Sequence, residues 1–154
     1  MHYFPVKSTK LSGAGSDKEI LKRASDYFRA LMCRTKRQPY IRSAYFGKQK
    51  IFFTYFWKHL YQKPPRQRKE KVLFLPCAIE LVQKSRNTPT SKPNPNKKSE
   101  LLYRFYGVTR NKEKFYVQVK ENVNTKRKEF MSIVIPRKQK TPRGLVYKLT
   151  HKGI

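Results

Sequence analysis

LLYRFYGVT (101–109), KFYVQVK (114–120) and EFMSIVI (129–135) each alternate with a period of two, and the polar stretches 110–113 and 122–126 separate them. Alternation of that length, bounded by turn-prone residues, predicts three strands joined as an antiparallel meander. Pro136 stops the third strand, because proline has no N–H to give to a ladder. The alternation also assigns faces. Leu101, Tyr103 and Phe105 oppose Leu102, Arg104 and Tyr106; Phe115, Val117 and Val119 oppose Tyr116, Gln118 and Lys120; Met131, Ile133 and Ile135 oppose Phe130, Ser132 and Val134. One face is apolar and needs helices to cover it. The other collects Arg104, Tyr106, Gln118, Lys120 and Ser132, which are donors suited to phosphate and a ring suited to stacking.

Upstream of the meander the period lengthens. Ser16 and Glu19 form a capping box, and Ile20, Leu21, Ala24, Tyr27, Phe28, Leu31 and Met32 recur at helical spacing, which predicts an amphipathic helix over 17–33. Its packing residues are expected to be Leu21, Tyr27, Phe28 and Leu31. Residues 1–15, with Pro5, Gly13 and Gly15, read as a loose arm, and 34–39 as a linker. Residues 40–53 are aromatic and β-prone around a turn at 47–50. TYFWKHLYQK (54–63) reads as a helix with Thr54 as N-cap, ended by Pro64-Pro65. Residues 66–75 form a basic helical stretch, and Pro76 opens another helix over 76–85 with Ile79 and Val82 inward. RNTPTSKPNPNKKS (86–99) reads as a polar loop, and 137–154 as a basic tail with a short strand at 145–149. The predicted fold is therefore α+β, with N-terminal helices packed on a small antiparallel meander. It divides into a basic arm with an amphipathic helix (1–37), a body (38–137) and a basic C-terminal tail (138–154).

Charge sets the class of partner. The chain of 154 residues holds 37 Lys and Arg against 9 Asp and Glu, a net charge of +28. The excess is +6 over 1–37, +12 over 38–99 and +10 over 100–154, so the folded body itself must present positive surface. A polyanion is the natural partner for such a charge. The 10 Phe, 10 Tyr and one Trp exclude a disordered polycation, because rings at that density drive packing. Interleaved with Lys and Arg they also suit base stacking.

Several chemistries are excluded. No Asp follows Tyr27, and no pair of the scattered glutamates has metal-site spacing, so two-metal nuclease chemistry lacks its ligands. Cys33 and Cys77 form no CxxC pair, and neither Walker nor GxGxxG loops occur; no metal and no cofactor is expected. The N-terminus lacks the apolar run of a signal peptide, and no apolar stretch has membrane-spanning length, which points to the cytoplasm. Of three histidines, His2 and His151 lie in the tails; His59 is the only one in the body and the only body residue whose ordinary pKa suits acid–base work near neutrality.

A helical front carrying a histidine, followed by a meander presenting Arg, Lys, Tyr and Ser, resembles the barnase/EndoU/colicin/RelE-type RNase superfamily. The segments IFFTYFWKHLYQK, FLPCAIELVQKSRNTP, SKPNPNKKSELLYRFYGVT, KFYVQVKE and FMSIVIP are similar to small bacterial and phage-type toxin-like proteins of that group, over roughly residues 43–136. The resemblance implies a metal-independent endoribonuclease in which the 2′-hydroxyl attacks the adjacent phosphate. It implies that His59 is the helix-borne acid–base residue, that Arg104 clamps phosphate, and that Lys120 and Ser132 contact the reacting phosphate. Tyr106 and Gln118 would hold base or sugar, and Lys58, Arg66 and Arg68 on the helical front would add nucleic-acid contacts. RNA, the ribosome and an acidic antitoxin or immunity protein are the implied partners. The chain lacks a glutamate base of the barnase kind and is closer to the carboxylate-poor RelE style. A non-catalytic RNA- or ribosome-binding module accounts for the charge equally well. What separates the two is whether His59 faces Arg104 and Lys120 or points into the core. No convincing helix-turn-helix supports a DNA-binding reading.

Overall fold

The structure, a computed structural model, describes residues 2–33, 35, 37–141 and 144–148. Its main sheet has seven strands: β1 (Phe4–Pro5), β2 (Tyr40–Ser43), β3 (Gln49–Phe52), β4 (Thr90–Asn94), β5 (Lys97–Val108), β6 (Lys114–Asn122) and β7 (Lys128–Val134). The spatial order is β1-β5-β6-β7-β3-β2, with β4 also on β5. Four helices interrupt them, α1 (Asp17–Leu31), α2 (Thr54–Leu60), α3 (Pro65–Leu73) and α4 (Leu75–Lys84). β8 (Arg137–Thr141) and β9 (Gly144–Lys148) form a separate antiparallel pair; the remainder of the expected tail, His151 included, lies outside the described residues.

The predicted arrangement of N-terminal helices on a small meander is overturned. The β5–β6–β7 meander exists, but it is the centre of a larger, mixed, curled sheet whose strands lie on both sides of the helices in sequence. β1 joins parallel to β5, and β3 joins parallel to β7 through Ile51↔Lys128 and Phe52↔Glu129. β4 forms inside the expected loop because β5 is long enough to pair it along Leu101–Arg104. Pro93 is tolerated there, since an edge strand needs no second ladder.

Residues expected as a loose arm are tied to the body. Phe4 pairs with Gly107, Val6 N–H bonds the Val108 carbonyl at 3.0 Å, and the Lys7 and Ser8 N–H groups both donate to the Glu80 carboxylate at 2.8 Å. The Ser8 hydroxyl adds a third bond to Glu80. Burial raises the Glu80 carboxyl, but these bonds and Lys84 outweigh it and hold its pKa below the usual carboxylate range.

Helix α1 starts where its capping box predicts, with Ser16 Oγ accepting from Glu19 N–H at 3.2 Å. It buries Ile20 and Ala24, with Leu21, Tyr27 and Phe28 packed at the margin; Leu31 is exposed instead of packed. Thr54 is not the cap of α2, because the chain enters the helix from Phe53 with no side-chain cap bond.

The core fills the space between the helices and one face of the sheet. Phe105, Phe115, Val117, Val119, Phe130 and Ile133 line that face, and Phe53 stacks on Phe130 at 4.5 Å between ring centres. Phe130 belongs to this face, contrary to simple alternation, because the β6–β7 register shifts between Gln118 and Val119. A bulge leaves one extra residue, Met131, on β7 and reverses the parity below it. Near the parallel junction, Lys128 reaches Glu121 at 2.7 Å and Gln49 at 2.5 Å, joining β6, β7 and β3 through one buried ammonium.

Candidate active site

The sheet face opposite the core carries the predicted polar set. Cross-strand register puts Arg104 beside Gln118 and Gln118 beside Ser132, one row across β5, β6 and β7. Ser132 donates to the Gln118 side-chain oxygen at 3.0 Å, and both residues are buried. The Arg104 guanidinium lies 4.9 Å from the centre of the Tyr116 ring. Tyr106, also on this face, shares a 3.0 Å hydroxyl contact with Thr90 and packs on Tyr116 and Tyr3. Lys120 follows Gln118 on the same side, with Glu100 at 3.6 Å and Glu129 at 3.7 Å.

Helix α2 brings His59 to this face. β3 pairs with two residues of β7, and α2 packs against that strand, with Phe56 on Phe130. Phe56 and Leu60 of α2 turn into the core. Tyr55 and His59, four residues apart and so on one side of the helix, stack at 5.1 Å with a Tyr55 hydroxyl–Nδ1 distance of 3.4 Å. The Lys120 ammonium sits over the Tyr55 ring, 3.5 Å from its centre. Lys71 of α3 arrives from the same edge and donates to the Ile133 carbonyl, next to Ser132, at 2.6 Å.

These neighbours set the protonation states. Burial pushes the His59 pKa down, and Lys63, Lys71 and Lys120 push it the same way, so the imidazole is neutral near pH 7. Its Nε2 is buried, and the Gln62 side chain opposes the downward shift. Burial, followed by Glu100 and Glu129, raises the Tyr55 pKa and keeps its hydroxyl protonated.

Thus Arg104, Gln118, Lys120 and Ser132 share one face of the sheet, with Tyr106 at its margin, and His59 is linked to it through Tyr55, whose ring also carries Lys120. Lys58 is exposed on the outside of α2. Arg66 is exposed, 4.0 Å from Glu70, and Arg68 bonds the Lys63 carbonyl at 2.8 Å and lies against Tyr61. Sequence reasoning missed Tyr55 and Lys71. Tyr55 was legible from its i, i+4 relation to His59; Lys71 is one of many cations in its helix, and nothing local marks it.

Among the described residues, no group of three or more His, Cys, Asp or Glu is placed to hold a metal ion, and no helix is long and apolar enough to cross a membrane. No known protein family, curated protein or solved structure matches the chain.

Proposed function

We propose that the protein is a metal-independent endoribonuclease of toxin-like character. The observation that carries this reading is a buried imidazole stacked on Tyr55, whose ring also carries the Lys120 ammonium, beside a sheet face bearing Arg104, Gln118 and Ser132. In the reaction, His59 takes the proton of the 2′-hydroxyl as O2′ bonds to phosphorus. The P–O5′ bond breaks and O5′ takes a proton from water, leaving a 2′,3′-cyclic phosphate end and a 5′-hydroxyl end, and His59 returns its proton to the hydroxide so formed. Arg104, Lys71 and Lys120 oppose the charge that builds on the phosphorane oxygens. Tyr106, at the margin of the face, is assigned to base or sugar; Gln118, expected in the same role, is buried and bonded to Ser132 and instead supports the face from within. The reading puts the protein in the cytoplasm with RNA and the ribosome, and gives its +28 charge an acidic antitoxin or immunity protein as a neutralising partner.

A second reading, a non-catalytic RNA- or ribosome-binding module, is favoured by one feature: Lys120 already has two carboxylate neighbours. The test is purified protein with EDTA on single-stranded RNA and on translating ribosomes, beside His59→Gln. Cyclic-phosphate ends made by the wild type and reduced about 10²–10⁴-fold in the variant support the enzyme. RNA binding without cleavage on either substrate overturns it in favour of the module.

A further inference from the structure

The same sheet face continues past the site described above. Register runs Lys120 to Glu129, Glu129 to Phe52 and Phe52 to Tyr40, one row from β6 across β7 and β3 to the outermost strand β2. In the β2–β3 hairpin, Ile41, Ser43 and Ile51 are buried on the core side, so Tyr40, Arg42, Lys50 and Phe52 share the outer side. Beside this strip, the β6–β7 turn contributes Lys126 and Arg127, and an open groove runs between hairpin and turn with no carboxylate in its lining.

Phe52 lines the groove, Tyr40 flanks it on the strip, and cations lie against both rings. Tyr40 and Phe52 meet edge to face at 5.9 Å. Lys50 Nζ lies 4.7 Å from the Tyr40 ring centre, and the Arg127 guanidinium 3.9 Å from that of Phe52. Arg127 is also tied to Gln38 at 2.7 Å and Glu129 at 3.6 Å. Lys48 and Lys126 occupy the two turns with positive φ, and both are exposed. Adjacent strands are about 4.8 Å apart, so the strip lies within three strand spacings of Lys120. Fixed cations along a groove with rings between them are the arrangement that takes a single nucleic-acid strand: phosphates follow the cations and bases lie against the rings.

We propose that this groove is an exosite for single-stranded RNA, holding the strand that flanks the scissile phosphate. The inference rests on the ribonuclease reading for its substrate, but it is read out by binding alone. The probe is a fluorescein-labelled, fully 2′-O-methylated 12-nucleotide RNA, which cannot be cleaved, titrated by anisotropy from 50 to 300 mM salt. The groove variant is Lys48→Gln/Lys50→Gln/Lys126→Gln. A variant of equal charge, Lys92→Gln/Lys98→Gln/Lys112→Gln, changes three exposed lysines elsewhere. Three lost phosphate contacts lower the log–log salt slope by about 2 and weaken binding about 10²-fold at 0.1 M salt. The control triple retains affinity within a few-fold. With unmodified RNA, the groove variant raises KM on the 12-mer and leaves dinucleotide cleavage unchanged. Equal losses in both triple variants, or no loss in the groove variant, overturn the exosite whatever the cleavage assay gives. A wild type that cleaves nothing while the groove variant alone loses binding overturns the ribonuclease reading and leaves the exosite standing.

Discussion

The Lys120 ammonium sits 3.5 Å from the centre of the Tyr55 ring, and the same ring stacks on His59 at 5.1 Å between ring centres. A positive charge and the imidazole thereby share one aromatic neighbour, and the charge disfavours a second positive charge on His59.

The first prediction follows from that arrangement. In the ribonuclease reading, a lowered His59 pKa puts the acid limb of kcat/KM below the ordinary histidine value of about 6.5. Lys120→Met removes one of the cations that lower it, so the limb moves up in pH, while the plateau falls about 10²–10³-fold through lost phosphorane stabilisation. Titration of the His59 ring by NMR gives the same upward shift without turnover. A ring that titrates identically in both proteins refutes the coupling.

Glu80 supplies the second. Its folded pKa is depressed, so its contribution to stability is full above the unfolded value of about 4.3 and is lost as pH falls through the folded value. Glu80→Gln weakens three bonds to Lys7 and Ser8, at a cost of about 2 kcal/mol at neutral pH. Thermal melts should show the gap between wild type and variant narrowing as pH drops from 6 to 3. A gap independent of pH argues that the tie does not depend on the charge.

Gly107 gives the third. An added Cβ meets the Phe115 ring at 2.6 Å and Leu81 at 3.0 Å, and both neighbours are fully buried. Gly107→Ala therefore destabilises by about 1–3 kcal/mol, or roughly 2–4 °C of Tm per kcal/mol for a chain of this size. A variant as stable as the wild type shows that Phe115 has room to yield.

The local parts of this architecture were legible in the sequence. The period-two runs yield β5, β6 and β7, and the capping box at Ser16 yields the start of α1, because each depends on neighbouring residues. Arg104, Gln118 and Ser132 fall in a row because the register above the bulge is regular. What alternation cannot foresee is a register shift: Met131 has no marker, so Phe130 was assigned to the wrong face. β4 is mostly exposed and polar, and it is a strand only because β5 offers it an edge. The two-residue joint of β3 with β7 is equally invisible, since it pairs positions 51 and 128. Lys71 acquires its place beside Ser132 only through the packing of α3.

That joint bears on the order in which the molecule can come into being. In chain order the β2–β3 hairpin and α2 precede β7, whose Phe130 stacks on Phe53 and whose Lys128 pairs with Ile51. Closing so long an intervening stretch precedes any gain from the contacts it permits, which slows assembly. His59 accordingly meets Lys120 only once β6 has been made, and its helix gains its seat only with β7. In the ribonuclease reading, activity therefore waits on pairings between residues far apart in the chain, Tyr55 with Lys120 and Ile51 with Lys128.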